Sequence, residues 1–361
     1  MYPNLKTNIK SKSLKRDSNI ELLRIVAMIM VFIVHADFLS LGAPNMDDLT
    51  SSPESTYLRV LCESLSIVCV NVFVLISGWF GIKSSLYRFF CFLCQVYFLE
   101  LFVYALYLIG GKIDTMHFRD WMNILLCNDY WFVKAYVILY LFAPALNAWF
   151  EMMSKKQIEQ FLFLFFTVQT LMDFWWGTSF SAGGYSGLSF MGLYVLARYI
   201  RLYPNKFSQQ NKYVDLAIYL VLTMLTSFAT LVQIYTHGAV GWFYYYDSPF
   251  VILAAIYLLL FFTKISIRSK VVNWVAVSCF AAYIVHCCPL FFPDYLATIK
   301  SWFDQEQEII FVCYTMMWIV AVFSFSILLD KIRIVVWNLI CLLWGNLQKV
   351  VRKDSMPNHI A

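Results

Sequence analysis

Ten apolar stretches, each close to the length that crosses a lipid bilayer, divide this chain of 361 residues. A helix needs roughly 20 consecutive apolar residues to cross the hydrocarbon core. Backbone groups inside hydrocarbon find no water, so segments of this length satisfy them by forming α-helices. The pattern predicts an all-α polytopic membrane protein with about ten transmembrane helices and both termini cytoplasmic. The predicted spans are residues 20–39, 57–80, 86–109, 130–150, 158–176, 183–202, 212–235, 248–264, 271–292 and 307–330.

The composition of the chain agrees with this class. Hydrophobic residues make up 61% of it and charged residues only 14%, with a mean hydropathy of +0.67. That balance is typical of a polytopic membrane protein and excludes a soluble domain of the same length. The first apolar run is not followed by a small-residue cleavage site, so it is interpreted as a retained helix and not as a signal peptide. The net charge of +5 does not indicate nucleic-acid binding, because the basic residues follow the membrane topology.

The distribution of Lys and Arg predicts the orientation of the chain, because cytoplasmic loops carry an excess of both. With the N-terminus in the cytoplasm, 22 of the 27 basic residues fall on the inner side of the ten predicted spans. The outer segments at 40–56 and 293–306 are mainly acidic. The five basic residues on or toward the outer side are Arg59, Lys112, Arg119, Lys134 and Lys300.

Three regions follow from the same pattern. Residues 1–19 are predicted to form a basic cytoplasmic tail, and residues 20–330 the transmembrane domain. Residues 331–361 alternate apolar runs with Lys and Arg, which is typical of an amphipathic helix on the cytoplasmic surface. A further span at 334–348 is the alternative for part of this tail.

Ten cysteines are scattered along the chain, mostly inside apolar runs. Cys91 and Cys94 have the spacing of a metal or redox pair, but no second pair lies near them. The pair is therefore interpreted as two small buried hydrophobic residues, and no metal site is predicted.

Two ionisable residues interrupt the first apolar stretch, which runs from Ser18 to Leu39. Arg24 and His35 are eleven residues apart, which on an α-helix is close to three full turns and about 16 Å along the axis. Both side chains therefore point the same way, near opposite sides of the membrane. An ionisable residue inside a membrane is costly and marks a candidate functional site. The alternatives are that Arg24 extends to the cytoplasmic headgroups and that His35 is a packing residue.

Several stretches resemble the membrane-bound acyltransferase 3 family, and together they cover about residues 18–333. The Arg24-x10-His35 spacing is similar to the signature of that family's first helix. The match departs from the family pattern after the second span, where only Lys83 and Arg88 stand in place of several arginines. The other similar elements are Val70 to Phe80, which closes in Ser77-Gly78, the run from Tyr130-Trp131-Phe132 to Asn147, Ser248-Pro249, and Tyr283-Ile284-Val285-His286 with Pro289. The small residues Ser77 and Gly78 predict a close contact with another helix; a simple packing notch is the alternative.

The resemblance implies transfer of an acyl group, usually acetyl, from cytoplasmic acyl-CoA to a hydroxyl of a cell-envelope glycan. It implies catalysis by His35, either as a general base or as a nucleophile that carries the acyl group. Arg24, near the cytoplasmic side, is expected to bind anionic groups of the donor. His286 is expected at a depth similar to that of His35. The candidate substrate-binding residues are Arg88, Glu100, Trp131, Tyr136, Asn147 and His286.

The resemblance further implies acyl-CoA as a donor substrate, no tightly bound cofactor and no metal. The expected partners are acyl-CoA, a glycan acceptor that can be lipid-linked, and membrane lipids, with no nucleic acid. The expected location is the cytoplasmic (inner) membrane of a bacterium. One local expectation comes from the residues alone: Arg59 and Glu63 are four apart, which predicts an ion pair at the outer end of a helix.

A transporter or flippase of lipid-linked glycan is the main alternative function, because it shares many spans, buried charges and aromatic belts. It does not predict the spacing of Arg24 and His35 together with the later His286 element. The sequence also lacks a pair of interrupted helices in corresponding positions, which marks many secondary transporters. A polysaccharide polymerase is a further alternative, but the outer segments, at most about 20 residues long, are short for that class.

Overall fold

The computed structural model describes residues 17–175 and 180–354, and this part of the chain is helical, with one isolated β-bridge between Asn45 and Ala239. The predicted all-α class is confirmed. Residues 1–16 and 355–361, which belong to the two predicted tails, lie outside the described residues. The helices are α1 (Ser18–Val34), α2 (Met46–Ser51), α3 (Pro53–Ser66), α4 (Cys69–Phe80), α5 (Leu86–Ile109), α6 (Phe118–Leu125), α7 (Trp131–Met152), α8 (Lys155–Gln169), α9 (Gly187–Leu202), α10 (Lys212–His237), α11 (Pro249–Lys264), α12 (Lys270–Ala276), α13 (Cys279–His286), α14 (Phe291–Gln305) and α15 (Glu308–Asp354).

Seven helical segments in the described residues are long and apolar enough to cross a membrane. An eighth candidate is the pair formed by 270–286 and 291–305, whose two parts meet at 84°. The chain is therefore a multi-pass membrane protein. The seven segments are Ser18–Leu39, Pro53–Phe80, Leu86–Ile109, Trp131–Met152, Lys212–His237, Trp242–Lys264 and Glu308–Leu343.

The count of ten spans stays a prediction, because two of the predicted spans correspond to short α-helices. The predicted span 158–176 corresponds to α8, which has 15 residues and continues into a π-helical turn at Thr170–Trp175; residue 176 lies outside the described part. The predicted span 183–202 corresponds to α9, which has 16 residues. The cytoplasmic placement of both termini likewise stays a prediction.

The last helix crosses the predicted boundary at residue 330. α15 runs without a break from Glu308 to Asp354, and the division into a transmembrane domain and a surface helix stays a prediction. Its apolar part reaches Leu343, which extends well beyond the predicted end of the last span. Asp330 lies in the middle of this helix and is fully buried, where it accepts hydrogen bonds from Gln95 and Arg333.

The inner helices pack around α1, which contacts α3, α4, α11, α12 and α13. α4 and α9 come especially close, because Gly78 faces the backbone of α9 and a Cβ there would collide with Tyr194 O. The small-residue contact expected at Ser77-Gly78 is present. Large apolar side chains remain exposed on the outer helices, such as Leu141, Phe228 and Met317, as expected of surfaces that face lipid.

The ten cysteines are all free in the structure. Cys91 and Cys94, the pair interpreted as small buried hydrophobic residues, are half-buried on α5. Of the other cysteines, Cys69, Cys127, Cys279 and Cys288 are buried, Cys287 is half-buried, and Cys62, Cys313 and Cys341 are exposed.

Candidate active site

His35 lies at the point where the first span changes its helical form. α1 is a regular α-helix up to Val34, so the shared face predicted for Arg24 and His35 has the geometry it requires. His35 then begins a π-helical turn that continues to Leu39. Such turns inside α-helices are frequent at functional sites.

His286 is brought to His35 by a break in the chain's path. It is the last residue of α13, and the next helix, α14, leaves at 84°. His35 Nδ1 and His286 Nε2 lie 2.8 Å apart, a hydrogen bond between residues 251 positions apart in the sequence. The expectation that the two histidines occupy similar depths is met by direct contact.

The hydrogen bonds of the two rings determine which nitrogens carry protons. His286 Nδ1 lies 2.6 Å from the carbonyl oxygen of Ala282, and a carbonyl can only accept, so Nδ1 carries the proton. In the neutral ring His286 Nε2 is then an acceptor, and His35 Nδ1 donates to it. The neutral His35 ring keeps an unprotonated Nε2 with a free lone pair. Both nitrogens of His286 are therefore engaged in hydrogen bonds, whereas Nε2 of His35 is free to accept a proton or to act as a nucleophile.

Aromatic side chains enclose the two imidazoles. The ring of Phe32 stacks on His286 with centroids 4.0 Å apart, and Phe292 meets His35 edge-on at 5.2 Å. Tyr295 contacts His286 from another side at 5.6 Å. His286 is fully buried, whereas His35 is half-buried. An apolar enclosure disfavours a charged ring, which suits a pair of neutral histidines.

Cys287 adds a thiol to this pair and makes it a group of three potential metal ligands within 4.8 Å of one another. Its sulfur lies 3.4 Å from His286 Nε2 and 3.7 Å from His35 Nδ1. Two imidazole nitrogens bound to one tetrahedral metal at about 2.0–2.1 Å would be about 3.3 Å apart. The observed 2.8 Å is instead the length of a hydrogen bond. The absence of a metal stays a prediction.

A narrow apolar cavity of about 40 Å³ opens beside His35. Trp131, a predicted substrate-binding residue, lines it. Tyr136 stacks in parallel on the lining residue Phe132, with centroids 6.0 Å apart. The cavity therefore joins the first helix to the aromatic element at the start of α7. Its lining consists of Met28, Val31, Val34, His35, Cys69, Val70, Phe73, Trp131, Phe132, Tyr246, Phe280 and Tyr283.

Arg24 lies toward the N-terminal end of α1, away from the two histidines. Its guanidinium pairs with Glu21 at 2.8 Å and its side chain is 34% exposed, so it is accessible. The hydroxyl of Tyr136 interacts with Ser77, and Arg24 is close enough to act on it electrostatically.

The remaining predicted substrate-binding residues lie away from this cavity. Asn147 holds the loop after α4, since it donates to Ile82 O at 3.0 Å and accepts from the Tyr194 hydroxyl at 2.7 Å. Arg88 donates to the carbonyl of Lys83 near the end of the same loop. Glu100 is 1% exposed, and neither carboxylate oxygen has a hydrogen-bond partner, so it occupies a separate buried position on α5.

The predicted pair of Arg59 and Glu63 is wrong. Arg59 Nε donates to Asp37 Oδ1 at 2.6 Å, and its Nη2 donates to Gly42 O. The π-helical turn after His35 carries Asp37 toward Arg59, so the long-range partner replaces the neighbour one turn away. Glu63 is 2% exposed and one of its oxygens has no hydrogen-bond partner.

Four side chains of interest were not identified from the sequence. Cys287 directly follows His286 and Asp37 lies two residues after His35, and that proximity in the chain was the available signal. Arg198 and Arg201 lie at the end of α9 and approach the end of α4. Their spacing of three residues places them on one helix face, but their partner helix could not be read from the sequence.

Fold and site together define a multi-pass membrane protein with a hydrogen-bonded histidine pair beside a narrow cavity inside the bundle. The family model of the acyltransferase domain matches residues 17–345, which is nearly the whole chain. The chain therefore belongs to the acyltransferase 3 family and is a membrane acyltransferase, as the sequence motifs indicated. No curated protein and no solved structure matches it.

Proposed function

We propose that this protein transfers an acetyl group from cytoplasmic acyl-CoA to a hydroxyl of a cell-envelope glycan in the cytoplasmic membrane of a bacterium. Its family supplies acyl transfer as the reaction class. The positions of Arg24 and His35, about 16 Å apart along one helix, suit a donor and an acceptor that approach from opposite sides. Acyl-CoA is a substrate in this proposal, and the protein holds no tightly bound cofactor.

The observation that carries the proposal is the hydrogen-bonded chain from Ala282 O through His286 to His35. A general base must present an unprotonated nitrogen toward the acceptor hydroxyl. His286 holds the proton of His35 on Nδ1, which keeps the lone pair on Nε2. His286 is thus a positioning residue, in the role that an orienting partner has for a catalytic histidine.

The reaction then proceeds with balanced proton transfers. His35 Nε2 removes the proton from the glycan hydroxyl, and the oxygen attacks the thioester carbon. The tetrahedral intermediate collapses as the carbon–sulfur bond breaks, and the CoA sulfur takes the proton from His35 Nε2. The products are the glycan ester and CoA with a free thiol, and His35 returns to its starting form.

A variant of this mechanism uses His35 as the nucleophile. Its Nε2 attacks the thioester carbon and the carbon–sulfur bond breaks, so CoA leaves as the thiolate and His35 becomes an acyl-imidazolium that keeps its proton on Nδ1. The glycan hydroxyl then attacks the acyl carbon, the bond from that carbon to Nε2 breaks, and the hydroxyl proton passes to the CoA thiolate. His35 is released in its starting neutral form. The same free nitrogen serves both routes. Transfer of label from donor to protein in the absence of an acceptor distinguishes them, because only the acyl-histidine route labels the enzyme.

The size of the cavity favours a small acyl group. One water needs about 10–15 Å³ of such space, so about 40 Å³ accommodates the few heavy atoms of an acetyl group but not a long acyl chain. The lining is almost entirely apolar, which suits a methyl group and excludes water from the thioester.

The test uses purified protein in lipid nanodiscs, with acetyl-CoA and envelope glycan from cells that lack the protein. We expect CoA release that depends on the glycan and a mass gain of one acetyl group per modified site. The variant His35→Ala lacks the proposed general base, and its rate of acetyl transfer should be lower by roughly 10² to 10⁴. Movement of lipid-linked glycan with unchanged mass and no thioester consumed would instead identify a flippase and overturn the proposal.

A further inference from the structure

Two arginines on one face of α9 contact the end of α4 on the predicted cytoplasmic side. Arg201 Nη1 donates to Trp79 O, and its guanidinium lies 5.1 Å from the centre of the Phe80 ring. Arg198 covers Gly81, where a Cβ would lie 2.7 Å from Nη1. Gly81 has a φ of +73°, so its backbone requires glycine and leaves room for the guanidinium.

These two cations lack a carboxylate in contact with them among the ion pairs of the described residues. Arg198 Nε is buried without a hydrogen-bond partner. The two guanidiniums also act on each other as like charges, and the acidic group whose field reaches Arg201 is the exposed Asp17. A buried donor without a partner is costly, and an anion bound there would supply both the acceptor and the charge.

The same end of the bundle leads to the candidate active site. Tyr194 contacts the loop that begins at Gly81, since its hydroxyl accepts from Ile82 N at 2.9 Å, and it lies in the field of Arg198. Tyr194, Ser77 and Arg24 are all neighbours that act electrostatically on Tyr136. Tyr136 in turn stacks on Phe132 of the cavity lining.

We propose that Arg198 and Arg201 form the binding site for the phosphates of an adenine nucleotide, namely the 3′-phosphate and the pyrophosphate of acyl-CoA. This inference rests on the proposed function. Guanidinium groups bind phosphate oxygens in pairs of parallel hydrogen bonds, which makes arginine better suited to this task than lysine. In this arrangement the nucleotide part of acyl-CoA lies at the membrane surface. The pantetheine arm, which carries the acyl group, extends past Arg24 and Tyr136 toward His35.

A structural role is the competing explanation. Arg201 satisfies a carbonyl at the end of α4, and cations near a helix C-terminus stabilise it through the helix dipole. Both arginines also follow the excess of positive charge on cytoplasmic loops. Such a role predicts that their loss lowers stability, but it predicts no discrimination between donors that differ by one phosphate.

The test is calorimetric binding to the full-length protein in lipid nanodiscs, with CoA and with dephospho-CoA, which lacks the 3′-phosphate. We expect the unaltered protein to bind CoA roughly 10-fold or more tightly than dephospho-CoA, because charged hydrogen bonds to the phosphate are lost. Combined Arg198→Gln and Arg201→Gln should abolish this preference. Lys206→Gln, at an exposed cation in the loop after α9, is the matched control and should keep it.

A double variant that is folded and still prefers CoA overturns the inference and leaves the proposed function intact. If the glutamine variant does not fold, combined Arg198→Lys and Arg201→Lys keeps both charges and removes the paired hydrogen bonds. We expect a reduced preference in that variant, and an unchanged preference overturns the inference. An unaltered protein that binds neither ligand overturns the donor assignment in the proposed function together with this site.

Discussion

His35 and His286 share a hydrogen bond of 2.8 Å although 251 positions separate them in the chain. The partner of His286 on its other nitrogen is the carbonyl of Ala282, one turn earlier on α13. The bond between the two histidines therefore has one direction, from His35 Nδ1 to His286 Nε2. Because of that direction, His35 is the residue with a free Nε2 that can react, and His286 is the residue that holds the His35 ring in place.

Replacement of His286 tests this division of roles. His286→Ala removes the acceptor for His35 Nδ1, so His35 can carry its proton on either nitrogen and loses its fixed orientation. We expect kcat to fall by roughly 10- to 100-fold, by analogy with the loss of partners that orient metal-bound histidines, with little change in KM for acetyl-CoA. His286→Gln, which can still accept from His35, should recover part of the rate. A change confined to KM, or a loss as complete as in His35→Ala, would contradict a positioning role.

Arg24 should act on the donor. A charged contact to an anion contributes about 1.5–3 kcal/mol, so Arg24→Ala should lower the rate at limiting acetyl-CoA by roughly 10- to 150-fold. Because Arg24 lies toward the predicted cytoplasmic end of α1, the KM for the glycan should change little. Steady-state kinetics with each substrate varied in turn measures both. Equal KM values for acetyl-CoA in Arg24→Ala and in the unaltered protein would remove the donor role of Arg24.

The orientation of the chain can be tested directly. The excess of Lys and Arg on one side predicts that both termini face the cytoplasm. Reporter fusions at residue 5 and at residue 355 should therefore both show a cytoplasmic signal, and a fusion in the acidic segment 40–56 should show the opposite one. Termini on opposite sides would require an odd number of spans and would refute the count of ten.

The close approach of α4 and α9 makes a prediction about stability. Gly78→Val places a branched side chain against Tyr194 O and the Cβ of Ala197. Overpacking of this kind typically costs about 1–3 kcal/mol, so we expect a lower midpoint of thermal unfolding in detergent. Ala148→Val, at an exposed position on α7, is the matched control and should leave the midpoint nearly unchanged. Equal midpoints for the two variants would show that α4 and α9 can move apart without loss of stability, which would contradict this prediction.

Residue patterns along the chain determined the class of fold and several members of the site. The length of the apolar stretches indicates helices that cross a membrane. The regular turn of an α-helix places Arg24 and His35 on the same face. The motif ending in His286 identified the second histidine, and Ser77-Gly78 identified a point of close helix contact. These features are local in sequence, or depend on a family pattern that is itself linear, so they could be read without coordinates.

Only the tertiary structure decided which residues meet. The contact of His35 with His286 depends on the break after α13, and the pairing of Arg59 with Asp37 depends on the π-helical turn after His35. Arg198 reaches Gly81 because α4 and α9 pack closely at Gly78. Such contacts join residues that are distant in the chain. Their geometry is set by helix packing and by local departures from ideal helices, and neither follows from the spacing of residues along one helix.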